Sequence, residues 1–107
     1  MSVIHVNKEN YPEAVLESEK PVLLEFFAQW CGPCRAMGPV LEEFAAENPG
    51  CEVAKVDIDE EPELTERFRV MSVPSLFVIK DGKVVTQSVG AKTKQQLRQM
   101  VESVSAI

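Results

Sequence analysis

Apolar residues recur along this chain with two different periods, which predict strands and helices in alternation. Apart from Glu25, residues 22–28 are apolar at odd and even positions alike, which is typical of a central strand covered on both faces. Met37, Leu41 and Phe44 then recur at the spacing of one helix face. The pattern therefore predicts strand–helix units, which favour parallel strands joined by crossover helices.

The last third of the chain predicts a hairpin and a closing helix. Asp81-Gly82 separates two β-rich runs and is a turn typical of antiparallel hairpins. Thr93 and Gln96 have the spacing of a capping box before a helical stripe. The predicted order is β-α-β-α-β-α-β-β-α, with strands at 3–6, 22–28, 51–58, 75–80 and 83–86 and helices at 7–18, 31–48, 61–68 and 93–104. We therefore expect an α/β fold with a mixed sheet between helices on both faces.

Composition and charge narrow the class of protein. The 107 residues are 45% hydrophobic and 26% charged, which predicts one globular domain across residues 1–107. A net charge of −6 argues against nucleic acid or an anionic membrane surface as the main partner. The apolar runs are far shorter than the ~20 residues of a membrane span, and residues 1–5 lack the start of a secretory signal. We expect a cytoplasmic protein.

The candidate chemistry lies between the second strand and the second helix, where Gly32-Pro33 separates Cys31 from Cys34. Cys31 falls at a helix N-terminus, where unpaired N–H groups and the helix dipole favour a thiolate. One helical turn holds the two Cβ atoms about 5–6 Å apart, so a slight tightening closes a disulfide. A ring this small stabilises a fold by only about 2 kcal/mol, which favours a bond that forms and breaks over a structural staple.

A zinc site is the alternative interpretation of the cysteine pair, because Cys51 and His5 complete four ligands by number. Structural zinc pairs usually lie in compact turns rather than at the start of a long helix, so the pattern favours redox chemistry. We expect no bound metal, and we expect His5 to be an ordinary strand residue. Cys51 lies outside the motif and is interpreted as an incidental thiol, with regulatory oxidation or intermolecular pairing as the alternative.

The string Trp30-Cys31-Gly32-Pro33-Cys34, the order of elements and Val73-Pro74 together resemble the thioredoxin family over nearly the whole chain. The resemblance implies the thioredoxin fold, with a central five-stranded mixed sheet flanked by four helices. It also implies thiol-disulfide exchange without a cofactor. Cys31, as the exposed nucleophile, attacks a disulfide in a partner protein, and Cys34 resolves the mixed disulfide. A thioredoxin reductase, either an NADPH-dependent flavoprotein or a ferredoxin-linked enzyme, then resets the pair.

Glu25 is a departure from the family, which usually has aspartate at this position. Its strand neighbours of the same parity, Leu23 and Phe27, are apolar, so its carboxyl is expected to be buried with a raised pKa. We expect Glu25 to accept the proton of Cys34, through water, as a general base. The alternative is a carboxylate that is paired with Lys55, its partner by resemblance, and has no catalytic role.

The resemblance further implies a shallow apolar platform on which an extended substrate segment docks. Val73-Pro74 looks like the family's cis-proline segment, whose backbone pairs with the substrate. The alternatives are a partly buried core aromatic for Trp30 and a turn or bulge glycine for Gly90. The expected platform residues are Trp30, Gly32, Pro33, Val73, Pro74, Gly90 and Ala91.

Two other sequence features are interpreted as structural. Pro39 falls inside the second helix, where it removes one backbone hydrogen bond and supports a kink. The acidic run at 57–63 is interpreted as a solvated helix start.

The sequence favours a monomeric, general reductant of disulfide-containing proteins. One rival is an oxidant or isomerase, because the same fold serves all three activities, although Gly32-Pro33 is similar to the reducing members. The other rival is a binding or holdase module in which the thiols are dispensable.

Overall fold

A five-stranded mixed sheet forms the centre of the molecule, with strand order β1-β3-β2-β4-β5. The computed structural model describes residues 3–105. Its strands are β1 (Val3–His5), β2 (Val22–Phe27), β3 (Glu52–Asp57), β4 (Ser75–Lys80) and β5 (Lys83–Val89). Its helices are a short π-helix (Pro12–Leu16), α1 (Gly32–Glu47), α2 (Pro62–Arg67) and α3 (Lys94–Ser105). The predicted order of elements and the α/β fold are confirmed.

The sheet combines parallel and antiparallel pairs. β3 pairs in parallel with β1 and with β2, whereas β4, which follows α2, runs antiparallel to both β2 and β5. Asp81 and Gly82 form the predicted hairpin turn, with φ angles of 53° and 78°. Positive φ at both turn residues matches the twist of the flanking strands.

The first helix is much shorter than the predicted range of 7–18, so that prediction was wrong in extent. Asn7 and Asn10 exchange side-chain-to-backbone hydrogen bonds of 2.8 Å, which close a turn in place of the first helical residues. A wide helical turn follows, in which the Glu17 N–H donates to the Pro12 carbonyl at 2.9 Å. Asparagine side chains that bond nearby backbone groups therefore delay the helix.

The sheet carries a core on each face, and alternate residues of β2 point into the two cores. Leu23 packs with α1 residues such as Met37 and Phe44. Leu24 and Phe26 pack in the opposite core, where Phe26 contacts Phe77 and Phe68 with ring centroids 5.5 and 5.0 Å apart. Burial on both faces makes β2 the central strand, as its uninterrupted apolar run predicts. Within residues 3–105, no helix is long and apolar enough to cross a membrane.

Candidate active site

The two cysteines lie where the central strand gives way to the long helix. β2 ends at Phe27, and Cys31 caps α1 with extended backbone angles. Cys31 and Cys34 form a disulfide, with their Cα atoms 5.2 Å apart. The Cys34 N–H also donates to Cys31 Sγ at 3.2 Å. The helix start therefore supplies both the second cysteine and a backbone donor directed at the first sulfur.

Cys31 is less accessible than the exposed nucleophile that the resemblance implied. It is 5% exposed in this disulfide form, and Cys34 is 2% exposed. Ala28 forms a small buried cluster with the two cysteines, and Phe27 and Val73 pack against that cluster. The expectation of an exposed Cys31 was therefore wrong for the oxidised state, because these neighbours cover most of the residue.

Glu25 is fully buried on β2, as the parity of its neighbours predicted. Neither carboxylate oxygen has a hydrogen-bond partner within residues 3–105. Burial raises the pKa of this carboxyl from 4.5 to about 7, and the charge of Lys55 offsets part of the shift. Glu25 therefore gains and loses its proton near neutral pH, the range in which a general base is useful.

Lys55 lies on β3 directly opposite Glu25 in the sheet register. Its ammonium group is 4.3 Å from the centroid of the Phe27 ring, a cation–π contact. A cleft of about 440 Å³ is lined by Lys55, Phe27 and Cys34 among others, so the buried cysteine and the lysine share one opening. The structure thus brings Lys55 into the surroundings of Cys34 as well as those of Glu25.

Trp30 lies on the surface beside the disulfide and is 67% exposed, so the core interpretation of this residue was wrong. Its indole N–H donates to Asp59 Oδ2 at 2.9 Å. Gly32 and Pro33, in the first turn of α1, are exposed next to it. These three predicted platform residues therefore lie around Cys31.

The acidic run was interpreted as a solvated helix start, and this is wrong for Asp57, whereas Asp59 is exposed as expected. Asp57 is the last residue of β3 and is buried, accepting a hydrogen bond from the Gln29 side chain at 3.3 Å. Asp59 holds the Trp30 indole, a role that sequence reasoning missed. Trp30 and Asp59 are far apart in sequence, so no local pattern predicts their hydrogen bond.

Val73 and Pro74 enter the site from the start of β4 and are joined by a cis peptide bond. The Val73 carbonyl oxygen lies 3.8 Å from Cys31 Sγ. Pro74 is buried, and its carbonyl oxygen accepts a hydrogen bond of 2.8 Å from the Gly90 N–H. Gly90 has a φ of 101°, which suits glycine, and Ala91 follows it on the surface. The second half of the predicted platform is therefore assembled from two separate loops.

Three other residues that the sequence analysis discussed are not part of the disulfide. Cys51 is buried in the core cluster on the α1 side, and burial raises the pKa of its thiol to about 11. Pro39 lies within α1, as predicted. His5 ends β1 opposite Lys55. Among the described residues, no group of three or more His, Cys, Asp or Glu side chains is arranged to hold a metal ion.

Comparison with known proteins agrees with this geometry. The sequence model of the thioredoxin family matches residues 2–103. A thioredoxin of Alicyclobacillus acidocaldarius is 47% identical over 96 residues, covering 89% of this chain and 90% of that protein. A thioredoxin of Chlamydia trachomatis is 45% identical over 90% of this chain and 92% of its own length. A thioredoxin of Haemophilus influenzae is 40% identical over 92% and 94% of the two chains. The match over nearly the full length, together with the Cys31–Cys34 pair at the start of α1, shows that this chain belongs to the thioredoxin family of thiol-disulfide oxidoreductases.

Proposed function

We propose that this chain is a general reductant of protein disulfides and is recycled by a thioredoxin reductase. The observation that carries the proposal is the Cys31–Cys34 disulfide at the N-terminus of α1, with the backbone of Val73 beside it. A disulfide that closes so short a loop contributes little to folding, whereas its position favours a thiolate at Cys31.

The proposed cycle moves two electrons from the cysteine pair to the substrate. The Cys31 thiolate attacks a substrate disulfide, forming a mixed disulfide and releasing one substrate sulfur as a thiolate, which takes a proton from water. The Cys34 thiolate then attacks Cys31 Sγ, which forms the Cys31–Cys34 disulfide and releases the second substrate sulfur. The substrate is reduced and the pair is oxidised, and the reductase returns two electrons to it.

Glu25 is proposed to accept the Cys34 proton before the second attack. Its carboxyl is fully buried, and its pKa of about 7 makes it a suitable base at neutral pH. Cys34 is also buried, so its proton needs an internal acceptor or a connection through water. Lys55 supports this role because its charge limits how far burial raises the pKa of Glu25.

An extended segment of the substrate is proposed to dock across the surface next to Cys31. The partly exposed Val73 offers backbone groups for a short strand-like pairing, and the exposed indole of Trp30 offers apolar area. Gly32, Pro33, Gly90 and Ala91 complete the platform with small surfaces that allow close approach of a backbone. Pro74 is buried and contributes through its backbone rather than its ring.

Insulin reduction tests the proposed function directly. The wild-type chain, with dithiothreitol as electron donor, is expected to reduce insulin disulfides, and Cys31→Ser is expected to lose the reaction. Cys51→Ser is the matched control and should keep it, because Cys51 lies in a different cluster. Undiminished turnover by Cys31→Ser would overturn the redox proposal in favour of a binding or holdase module.

Two further measurements define the direction and partners of the reaction. The reduction potential, measured against a glutathione buffer, is expected to lie on the reducing side, whereas an oxidising value would favour the oxidant or isomerase. Cys34→Ser should trap substrates as mixed disulfides with Cys31.

We also propose that the chain acts in the cytoplasm and is a monomer. The monomeric state is favoured because a net charge of −6 disfavours self-association, and sedimentation equilibrium tests it.

A further inference from the structure

The loop between β5 and α3 contains a lysine whose ammonium group is bonded to the protein backbone. Lys92 Nζ donates to the carbonyl oxygens of Val89 and Gly90, at 2.9 and 3.0 Å. The residue is partly buried, and it belongs to none of the salt bridges found within residues 3–105. Its charge is therefore directed to two successive carbonyl groups of one loop.

These bonds fix one peptide unit from both of its sides. The Val89 carbonyl and the Gly90 N–H belong to the same planar peptide group. The carbonyl accepts from Lys92, and the N–H donates to the Pro74 carbonyl at 2.8 Å. A rotation of this peptide group would break both bonds at once, so Lys92 and Pro74 jointly fix its orientation.

Without the lysine, the peptide group can rotate easily about the backbone torsion of Gly90. Gly90 has a φ of 101°, and glycine adopts positive and negative φ with similar ease. The two carbonyl oxygens that converge on Lys92 Nζ also repel each other once the positive charge is removed. The loop would then lose its fixed orientation, and the Pro74 carbonyl would lose its donor.

The fixed peptide group continues directly into the surroundings of Cys31. Pro74 follows Val73, whose carbonyl oxygen lies 3.8 Å from Cys31 Sγ. Lys92 is bonded to the Val89–Gly90 peptide, and this peptide is bonded to Pro74, through hydrogen bonds of 3.0 Å or less. Pro74 is joined covalently to Val73, whose carbonyl oxygen is in contact with the disulfide.

We propose that Lys92 is a positioning residue for protein substrates: it fixes the Val89–Gly90 peptide and, through it, the Val73–Pro74 backbone on which an extended substrate segment docks. The inference rests on the proposed function, since it assigns a residue to the docking step of that reaction. It concerns binding geometry and leaves the chemistry at Cys31 unchanged. A small disulfide that needs no docking surface should therefore react normally without Lys92.

The test compares a large and a small substrate in a set of variants. Lys92→Met keeps the length of the side chain and removes its donors, and Lys92→Arg retains the charge and the donors. Lys83→Met, on the exposed start of β5, changes the net charge by the same amount and is the matched control. Each variant is reduced, freed of reductant, and mixed with insulin or with neutral dipyridyl disulfide to obtain second-order rate constants.

Lys92→Met is expected to reduce insulin about three- to tenfold more slowly, the effect of losing one or two hydrogen bonds at a partly exposed site. Its rate with dipyridyl disulfide should match the wild type, Lys92→Arg should restore the insulin rate, and Lys83→Met should be normal. The deficit should persist in about 1 M salt, where the Debye length is about 3 Å, because it arises from contacts rather than long-range charge. The Gly90 amide should exchange its hydrogen faster in Lys92→Met.

Several results would overturn the inference. These are an unchanged insulin rate in Lys92→Met, equal slowing with both disulfides, or a deficit that disappears in high salt. If the wild type reduces insulin and Lys92→Met does so equally well, only the role of Lys92 is refuted. If the wild type itself fails to reduce insulin, the proposed function fails and the inference fails with it.

Discussion

Glu25 is a residue whose charged form opposes folding. A buried carboxyl with no hydrogen-bond partner within the described residues is unfavourable in its charged form. Below about pH 4.5 the carboxyl is neutral in both the folded and the unfolded chain, so it has little effect on stability there. Between pH 4.5 and about 7 the unfolded chain releases the proton while the folded chain keeps it, so stability falls as pH rises.

Glu25→Gln should remove this pH-dependent loss. Relative to the wild type, the free energy of unfolding of the variant should rise by up to about 3 kcal/mol between pH 4.5 and pH 8. Urea unfolding at several pH values measures the difference. The penalty of burying the glutamine amide does not change with pH, so it cancels when the difference between the two proteins is followed across pH. If the free energies of unfolding of the wild type and the variant change with pH in parallel, the raised pKa of Glu25 is contradicted.

The same substitution should slow disulfide reduction at its second step. Stopped-flow measurements on the mixed disulfide should show slower release of the reduced substrate, and the inflection near pH 7 should disappear from the rate profile. Glu52→Gln, in a partly exposed position on β3, is the matched control for the change of charge. An equally fast Glu25→Gln variant would leave Glu25 without a catalytic role.

Cys51 should be the slowest thiol of the reduced protein to react. Burial raises the pKa of its thiol to about 11, so very little thiolate exists at neutral pH. Iodoacetamide at pH 7, followed by mass spectrometry, should modify Cys31 first and Cys51 last. Early modification of Cys51 would favour its alternative role in regulatory oxidation.

At the scale of elements, the strongest patterns predicted the structure best. The run at 22–28 correctly indicated a strand buried on both faces, and β2 covers Val22–Phe27. β5 extends to Val89, three residues beyond the predicted end at 86, because its largely exposed side chains give no hydrophobic alternation to read. The register shift between Val78 and Ile79 disturbs the pattern further. The ends of an exposed edge strand are determined by its backbone pairing, and its side chains give little indication of where that pairing stops.

The capping box before α3 is present as predicted. The Thr93 N–H donates to the Gln96 side chain at 2.9 Å, and the Gln96 N–H donates to the Thr93 hydroxyl at 3.1 Å. Thr93→Ala should therefore lower the free energy of unfolding by about 1 kcal/mol in urea titrations. Gln95→Ala, at an exposed position of the same first turn, should have a much smaller effect. Equal losses in the two variants would show that the cap does not stabilise the helix.

At the scale of the whole molecule, the fold could be predicted and several site contacts could not. The order of elements and the Cys31–Cys34 pair were readable because local periodicity and spacing encode them. The contact of Trp30 with Asp59 was not readable, nor was the bond from Gly90 to Pro74. Each joins loops that are distant in sequence and meet only once the sheet is assembled.

Reduction of the disulfide should lower the stability of the folded chain only modestly. The loop between Cys31 and Cys34 is short, so closing it restricts the unfolded chain by about 2 kcal/mol. Urea unfolding of the oxidised and reduced forms should differ by about this amount. A much larger difference would mean that the reduced chain rearranges around the site.

The central position of β2 has a consequence for how the protein tolerates stress. Strand order β1-β3-β2-β4-β5 leaves β1 and β5 at the margins, while the strand that leads into Cys31 has a neighbour on either side. Thermal fluctuations that detach marginal strands need far less energy than those that open the middle of a sheet. The redox pair should therefore remain assembled in partly opened molecules, whereas the docking surface beside β5 should be lost when that strand detaches.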